Sequence, residues 1–150
     1  MGLDMYLSAK RYISKYDPKD AEVLQLVGAI DLGFDGEVRE VSFEAMYWRK
    51  ANAIHRWFVD KVQGGVDNCA EYYVDTEDLK ELRYRCNEIL LDPSKAKELL
   101  PPQSGFFFGS TDVDEWYLED LKDTVDRLDV LLELPQVKDH NISFYYQSSW

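Results

Sequence analysis

Cysteine is scarce in this sequence, with Cys69 and Cys86 the only two in 150 residues. Two isolated thiols make no disulfide framework, and no CxxC or Cys/His spacing points to a structural zinc. Cys86 falls on the apolar side of a predicted helix and is expected to be a small buried residue. Long apolar runs are also missing. None approaches the roughly 20 residues that span a bilayer, and the opening MGLDMYLSAKRY is too short in its apolar part, with its charges on the wrong side, for a signal peptide. The expected location is therefore cytoplasmic. Basic residues are outnumbered, 17 against 29 acids, for a net charge of −12. A field of that sign repels polyanions, which excludes a broad phosphate-tracking surface for direct nucleic-acid binding and disfavours anionic membranes. No HExxH, GxSxG, P-loop or nucleotide-binding glycine fingerprint occurs, and no dense Asp/His pattern suggests a metal. No cofactor is expected, and catalysis is the least supported class.

Aromatic residues, in contrast, are plentiful: ten Tyr, seven Phe and four Trp, within a hydrophobic share of 45%. That is ample material for one core and leaves no compositional case for disorder. Alternation at Leu3, Met5, Leu7 and Ala9 predicts an opening strand over 3–12. Asp17-Pro18 starts a helix carrying Val23, Leu24, Val27 and Ile30, closed by Gly33 and Gly36. Val38, Val41, Phe43 and Ala45 give a second strand over 37–47, imperfect enough to need a bulge or a late start. It runs directly into a helix beginning near Lys50, with Ala51, Ile54, Trp57, Phe58 and Val62 on its apolar stripe.

A short strand over 71–74 follows, then a helix capped by Asp75 or Thr76 that buries Leu79, Leu82, Cys86, Ile89 and Leu90. Pro93 opens a helical turn. Thr111 reads as the N-cap of the clearest helix, with Asp114 three residues on and Tyr117, Leu121, Thr124, Leu128 and Leu132 on one face until Pro135. Residues 142–147 read as a last strand. Both ends are thus strands, and strands are few. The expected fold is a single α+β domain over 1–150, a small antiparallel or mixed sheet of three to four strands with about four helices packed on it.

Three segments carry unusual chemistry. At the strand-to-helix junction, Trp48, Arg49, Lys50, Asn52, His55 and Arg56 sit in a stretch with a local charge of +3, and helical spacing puts Asn52 and His55 on one face away from the apolar stripe. Backbone N–H groups at a helix start, beside Arg and Lys, form an anion site; a solvated basic face paired with the protein's own acids accounts for the same residues. The loop Gly105-Phe106-Phe107-Phe108-Gly109-Ser110 cannot turn all three rings one way, so at least one is expected outside the core stripe. A buried plug held by a turn is the alternative. The C-terminal Phe144 to Trp150 adds Tyr145 as a further stacking ring and ends on an aromatic, which suggests a terminus packed down. Separately, the stretch 111–133 holds nine acids and two bases, a net of −7 that could imitate a phosphate backbone or serve as soluble surface.

The blocks MGLDMYL, YWRKANAIHRWF, QSGFFFGST and YYQSSW, in that order from end to end, resemble a family of small proteins encoded by bacteriophages and in bacterial genomes. The resemblance brings no catalytic residues with it. It implies a phage or prophage protein acting in the host cytoplasm, where two roles fit the residues. One is sequestration, without turnover, of a small phosphorylated or nucleotide-like molecule such as an immune signal. Arg49, Lys50 and Arg56 would then neutralise charge, Asn52 and His55 would give directional hydrogen bonds, and Trp48, Phe106, Phe107, Phe108 or Tyr145 would stack. The other is an acidic protein that blocks a host protein, with a His55-dependent phosphoester hydrolase as a minor third. The first role requires a concavity joining Arg49, Asn52, His55 and the 105–110 loop; the second requires a continuous acidic face. The sequence leaves open whether a homo-oligomer completes the site.

Overall fold

Apolar and polar residues alternate through the first strand, and the structure follows that pattern. The computed structural model describes residues 2–30 and 33–150, which leaves Met1 of the opening block outside the described residues. In it β1 (Asp4–Tyr12) turns Met5, Leu7 and Ala9 into the core and Tyr6, Ser8 and Lys10 to the other face. With β2 (Glu40–Arg49), β3 (Tyr72–Val74) and β4 (Ser143–Ser149) it forms one antiparallel sheet in the order β2-β1-β4-β3. The two terminal strands are the central pair.

Of the two alternatives expected for β2 both occur: the strand starts late, at Glu40, which leaves Val38 outside it, and a bulge interrupts it farther on. Leu7 pairs with Met46 and Ser8 with Glu44, so Ala45 is the extra residue. The bulge shifts the inward side chains to Ala45, Met46 and Trp48, and Phe43, expected on the apolar face, is exposed. The first helix also departs from expectation. α1 (Ala21–Gly28), preceded by a 3₁₀ turn at Pro18–Asp20, buries no residue, because it lies in the long β1–β2 connection rather than on the sheet.

Helices α2 (Asn52–Lys61), α3 (Thr76–Leu91) and α5 (Glu115–Glu133) share one core with the inner face of the sheet. One-turn helices α4 (Ala96–Leu99) and α6 (Pro135–Lys138) complete the set, so the α+β class holds, with about six helices over four strands. Asp75 caps α3 by accepting from the Glu77 N–H. The stripe read on α5, from Tyr117 to Leu132, is buried. Its cap is Asp114, which accepts from the Tyr117 N–H at 3.0 Å, and not Thr111; residues 111–114 are not helical, and a carboxylate there faces the positive end of the helix. Burial pushes the Cys86 thiol up to about 12, in keeping with an inert core residue. Among the described residues no helix is long and apolar enough to cross a membrane.

The free helical face expected for Asn52 and His55 does not exist. α2 buries Asn52, Ala53, Ile54, His55, Trp57, Phe58 and Val59, and only Arg56, Asp60 and Lys61 are exposed. Side chains of β4 and the loop 103–110 cover the side that the apolar stripe leaves open, as the contacts of His55 and Asn52 show.

Candidate functional site

Residue Lys50 ends β2 in the left-handed region, at φ 60°, which turns the chain into α2 at once. Its N–H donates to the Leu3 carbonyl at 2.8 Å, and the Leu3 N–H donates to the Phe107 carbonyl at 3.2 Å. The start of β1 therefore ties the basic junction to the triple-Phe loop. Asn52 adds a second tie. Its Nδ2 donates to the carbonyls of Phe108 (3.0 Å) and Ser110 (2.7 Å), and its Oδ1 accepts from the Gln103 N–H (3.0 Å). Gly109, at φ 85°, completes the closure: a Cβ there would lie 3.3 Å from Lys50 Cβ.

These ties place the two segments side by side and leave a cleft of about 470 Å³ between them and α5. That volume suits a small molecule. Its lining joins Arg49, Lys50, the first turn of α2 and Gly109-Ser110 to Asp112, Asp114, Trp116, Glu119, Asp120 and Asp123. The N-cap position of α2 is Ala51, which supplies no capping side chain. Trp116 is 68% exposed and presents an open ring.

The electrostatics of the cleft are unusual. Neither Arg49 nor Lys50 enters an ion pair among the described residues, and neither does Asp112, Asp114, Glu119, Asp120 or Asp123, although both sets line one cavity. Asp120 feels the crowding most. Burial, then its neighbours Asp123, Glu119 and Asp114, push its carboxyl up to about 6. Despite these acids, no group of three or more His, Cys, Asp or Glu among the described residues is arranged to hold a metal.

Of the residues expected at the site, Arg49, Lys50, Asn52, Gly109 and Ser110 line this cleft, with Asn52 fully engaged in holding its shape. The others lie elsewhere. Trp48 is buried and donates to Thr124 Oγ1 at 2.8 Å. His55 is fully buried, with Nδ1 2.8 Å from Tyr146 Oη and Nε2 3.2 Å from Asp67 Oδ1. The Asp67 carboxylate can only accept, so Nε2 donates to it and the Tyr146 hydroxyl donates to Nδ1. A neutral imidazole is thereby satisfied on both sides. Desolvation holds its pKa below the ordinary value, against the upward pull of Asp67, and neither nitrogen is open to a substrate. Arg56 is exposed beside Asp60 at 3.5 Å. Phe106 is 96% exposed and stands edge-on to the half-buried Phe107, whereas Phe108 is buried with its ring against His55 and against Trp150 of the C-terminus. Tyr145 is on the far face of the sheet, under the Lys10 ammonium.

Sequence reasoning missed Trp116 and the acids as lining. Trp116, Asp120 and Asp123 recur at helical spacing beside the apolar stripe, so the pattern showed one helix edge but not what that edge would face. Comparison with family models, with curated proteins and with solved structures gives no match.

Proposed function

We propose that this chain is a binding protein whose cleft retains a small molecule carrying an anionic and a cationic group together. The observation that carries the reading is that Arg49 and Lys50 line one cavity with the carboxylates of Asp112, Asp114, Glu119, Asp120 and Asp123 and form no ion pair with them. A ligand with both charges satisfies both sets. Its phosphate or carboxylate is met by Arg49, Lys50 and the N–H groups that open α2; its ammonium or protonated ring is met by Asp120, Asp123 and the face of Trp116. Five carboxylates against two cations argue against a polyphosphate, which leaves a monophosphate or carboxylate as the anionic part. In the phage setting that the sequence resembles, such a protein withholds a small host molecule without transforming it.

Thermal shift with O-phosphoethanolamine, beside inorganic phosphate and ethanolamine as its two halves and AMP as a nucleotide, tests the reading. The whole molecule is expected to raise the midpoint by roughly 5–10 °C at about 100 times Kd, well beyond either half, and Arg49→Ala and Asp120→Asn each cancel the gain. Equal stabilisation by phosphate alone, unaffected by Asp120→Asn, overturns it. A second reading draws on the exposed acids Glu115, Glu119 and Asp123, for which only Lys122, bonded to Asp126, is a basic neighbour of Glu119 and Asp123 among the described residues. That face suits a basic surface on a host protein. Capture of one such protein, abolished by Glu119→Lys and Asp123→Lys, with no small-molecule shift, favours it.

A further inference from the structure

Trp116, which lines the cleft from α5, is 68% exposed and, among the described residues, has no hydrogen bond, no ring contact and no cation over its face. Asp120 follows one helical turn later, so the two share one edge of α5 with Cβ atoms about 5–6 Å apart. Asp123, three residues further on, continues that edge and lines the same cavity. The Asp120 side chain is half-buried, and no donor among the described residues reaches its carboxyl. Both of its oxygens therefore keep their acceptor capacity at a residue that lines the cavity.

Two kinds of organic cation make different demands on such a lining. An ammonium is a compact, strongly hydrated point charge, and stripping its water beside a half-buried carboxyl is costly. A guanidinium is flat, delocalised and weakly hydrated; it stacks on an aromatic face, and its five N–H donors form a fork that meets a carboxylate with two bonds at once. Trp116 offers the face, Asp120 the paired acceptors, and Asp123 a further acceptor for the remaining donors. Building on the proposal that this cleft takes a ligand with both charges, we infer that the cationic part is a guanidinium stacked on Trp116 and forked onto Asp120, which makes the ligand a small guanidino acid with its anionic group at Arg49 and Lys50.

A guanidinium stays charged at any pH at which the protein folds, so the pH dependence of its binding belongs to the cleft. Burial, then Asp123, Glu119 and Asp114, raise the Asp120 carboxyl to about 6. Below that value Asp120 takes up a proton and loses the charge and one of the acceptors that the fork needs. Asp112, Arg49 and Lys50 are the other charged groups of the lining, and Tyr117 stays neutral with its hydroxyl donating to the Leu100 carbonyl at 2.8 Å.

Isothermal titration of the intact protein compares 4-guanidinobutyrate with 4-aminobutyrate, which share a carboxylate and a spacer and differ only in the cation; O-phosphoethanolamine is run beside them. The guanidino compound is expected to bind with Kd on the order of 0.1 mM, about tenfold more tightly than the amino compound. Trp116→Ala should weaken it about fivefold and Asp120→Asn about tenfold; neither side chain belongs to the core. Wild type should bind it about tenfold more weakly at pH 5 than at pH 7.5, and Asp120→Asn should flatten that profile. Equal affinity for the two butyrates, or an affinity unchanged in Trp116→Ala or in Asp120→Asn, overturns the guanidinium assignment and leaves the two-charge reading of the cleft in place. Binding of O-phosphoethanolamine alone does the same. No binding of any of the three at about 10 mM overturns both.

Discussion

Replacing Asn52 by Ala removes one side chain and unties three backbone groups. The Phe108 carbonyl belongs to a buried residue and would be left without an acceptor's partner, at about 1–3 kcal/mol; the Gln103 N–H and the Ser110 carbonyl lie on the half-buried and exposed parts of the loop, where water replaces Asn52 at about 0.5–1 kcal/mol each. The total is about 3 kcal/mol. For a chain of 150 residues it lowers the midpoint by about 6–12 °C. Asn52→Asp is the sharper variant, nearly identical in shape. It keeps the acceptor for Gln103 but points a carboxylate oxygen at two carbonyl oxygens, so at pH 7 it should cost more than Asn52→Ala. The loss should shrink on acidification, because a protonated Asp can donate to one of the two. Urea denaturation followed by circular dichroism and Trp fluorescence reads all three proteins. A cost below about 1 kcal/mol for Asn52→Ala, or an Asn52→Asp protein as stable as wild type at pH 7, refutes the claim that Asn52 fixes the loop against α2.

Gly109→Ala should cost about 1–2 kcal/mol, since it combines a left-handed residue at φ 85° with a Cβ only 3.3 Å from Lys50 Cβ; chemical denaturation measures it, and a neutral result refutes the close approach. His55 has a folded pKa below its ordinary 6.5, so the unfolded chain takes up a proton that the folded chain refuses; the stabilising contribution is present above 6.5 and falls as pH drops below it. The advantage of wild type over His55→Asn should therefore narrow between pH 7.5 and 5.5, in paired urea titrations. Asp120 acts with the opposite sign: its folded value of about 6 lies above the ordinary 3.8, so its charged form burdens the fold above pH 6 and the burden is gone below about 4. Asp120→Asn should gain on the order of 2 kcal/mol at pH 8, allowing for partial exposure, and nothing near pH 4.

Much of the fold was legible because it follows from local pattern. Alternation marked β1, aromatic richness marked β4, helical spacing marked the buried stripe of α5, and the uneven step from Val38 to Val41 marked the late start of β2, whereas the bulge at Ala45 interrupts a spacing that is regular in sequence. The failures are failures of packing. α2 has polar residues at Asn52 and His55 where its apolar stripe ends, which reads as a solvent face; what covers them is a loop some 50 residues later and a tyrosine some 90 residues later. Nothing in α2 records those partners. The same distance hid the cleft, whose basic and acidic residues were each visible as a charge run while their meeting depended on Leu3, Asn52 and Gly109 closing the loop onto the junction.

Those closures bear on why the cleft should be read as a site. Elsewhere many of the charges are paired, with Lys122 on Asp126, Lys95 on Glu88, Lys138 on Glu133 and Lys61 on Glu81. At the cleft several costs coincide: a lysine in the left-handed region, a helix start without a capping side chain, two cations with no ion pair among the described residues and a carboxyl raised to about 6. The first two have counterparts elsewhere, in His140 at φ 56° and in the starts of α1, α4 and α6 without a side-chain cap; it is the coincidence of all four within one cavity that fits a bound molecule supplying the missing charges and hydrogen-bond partners.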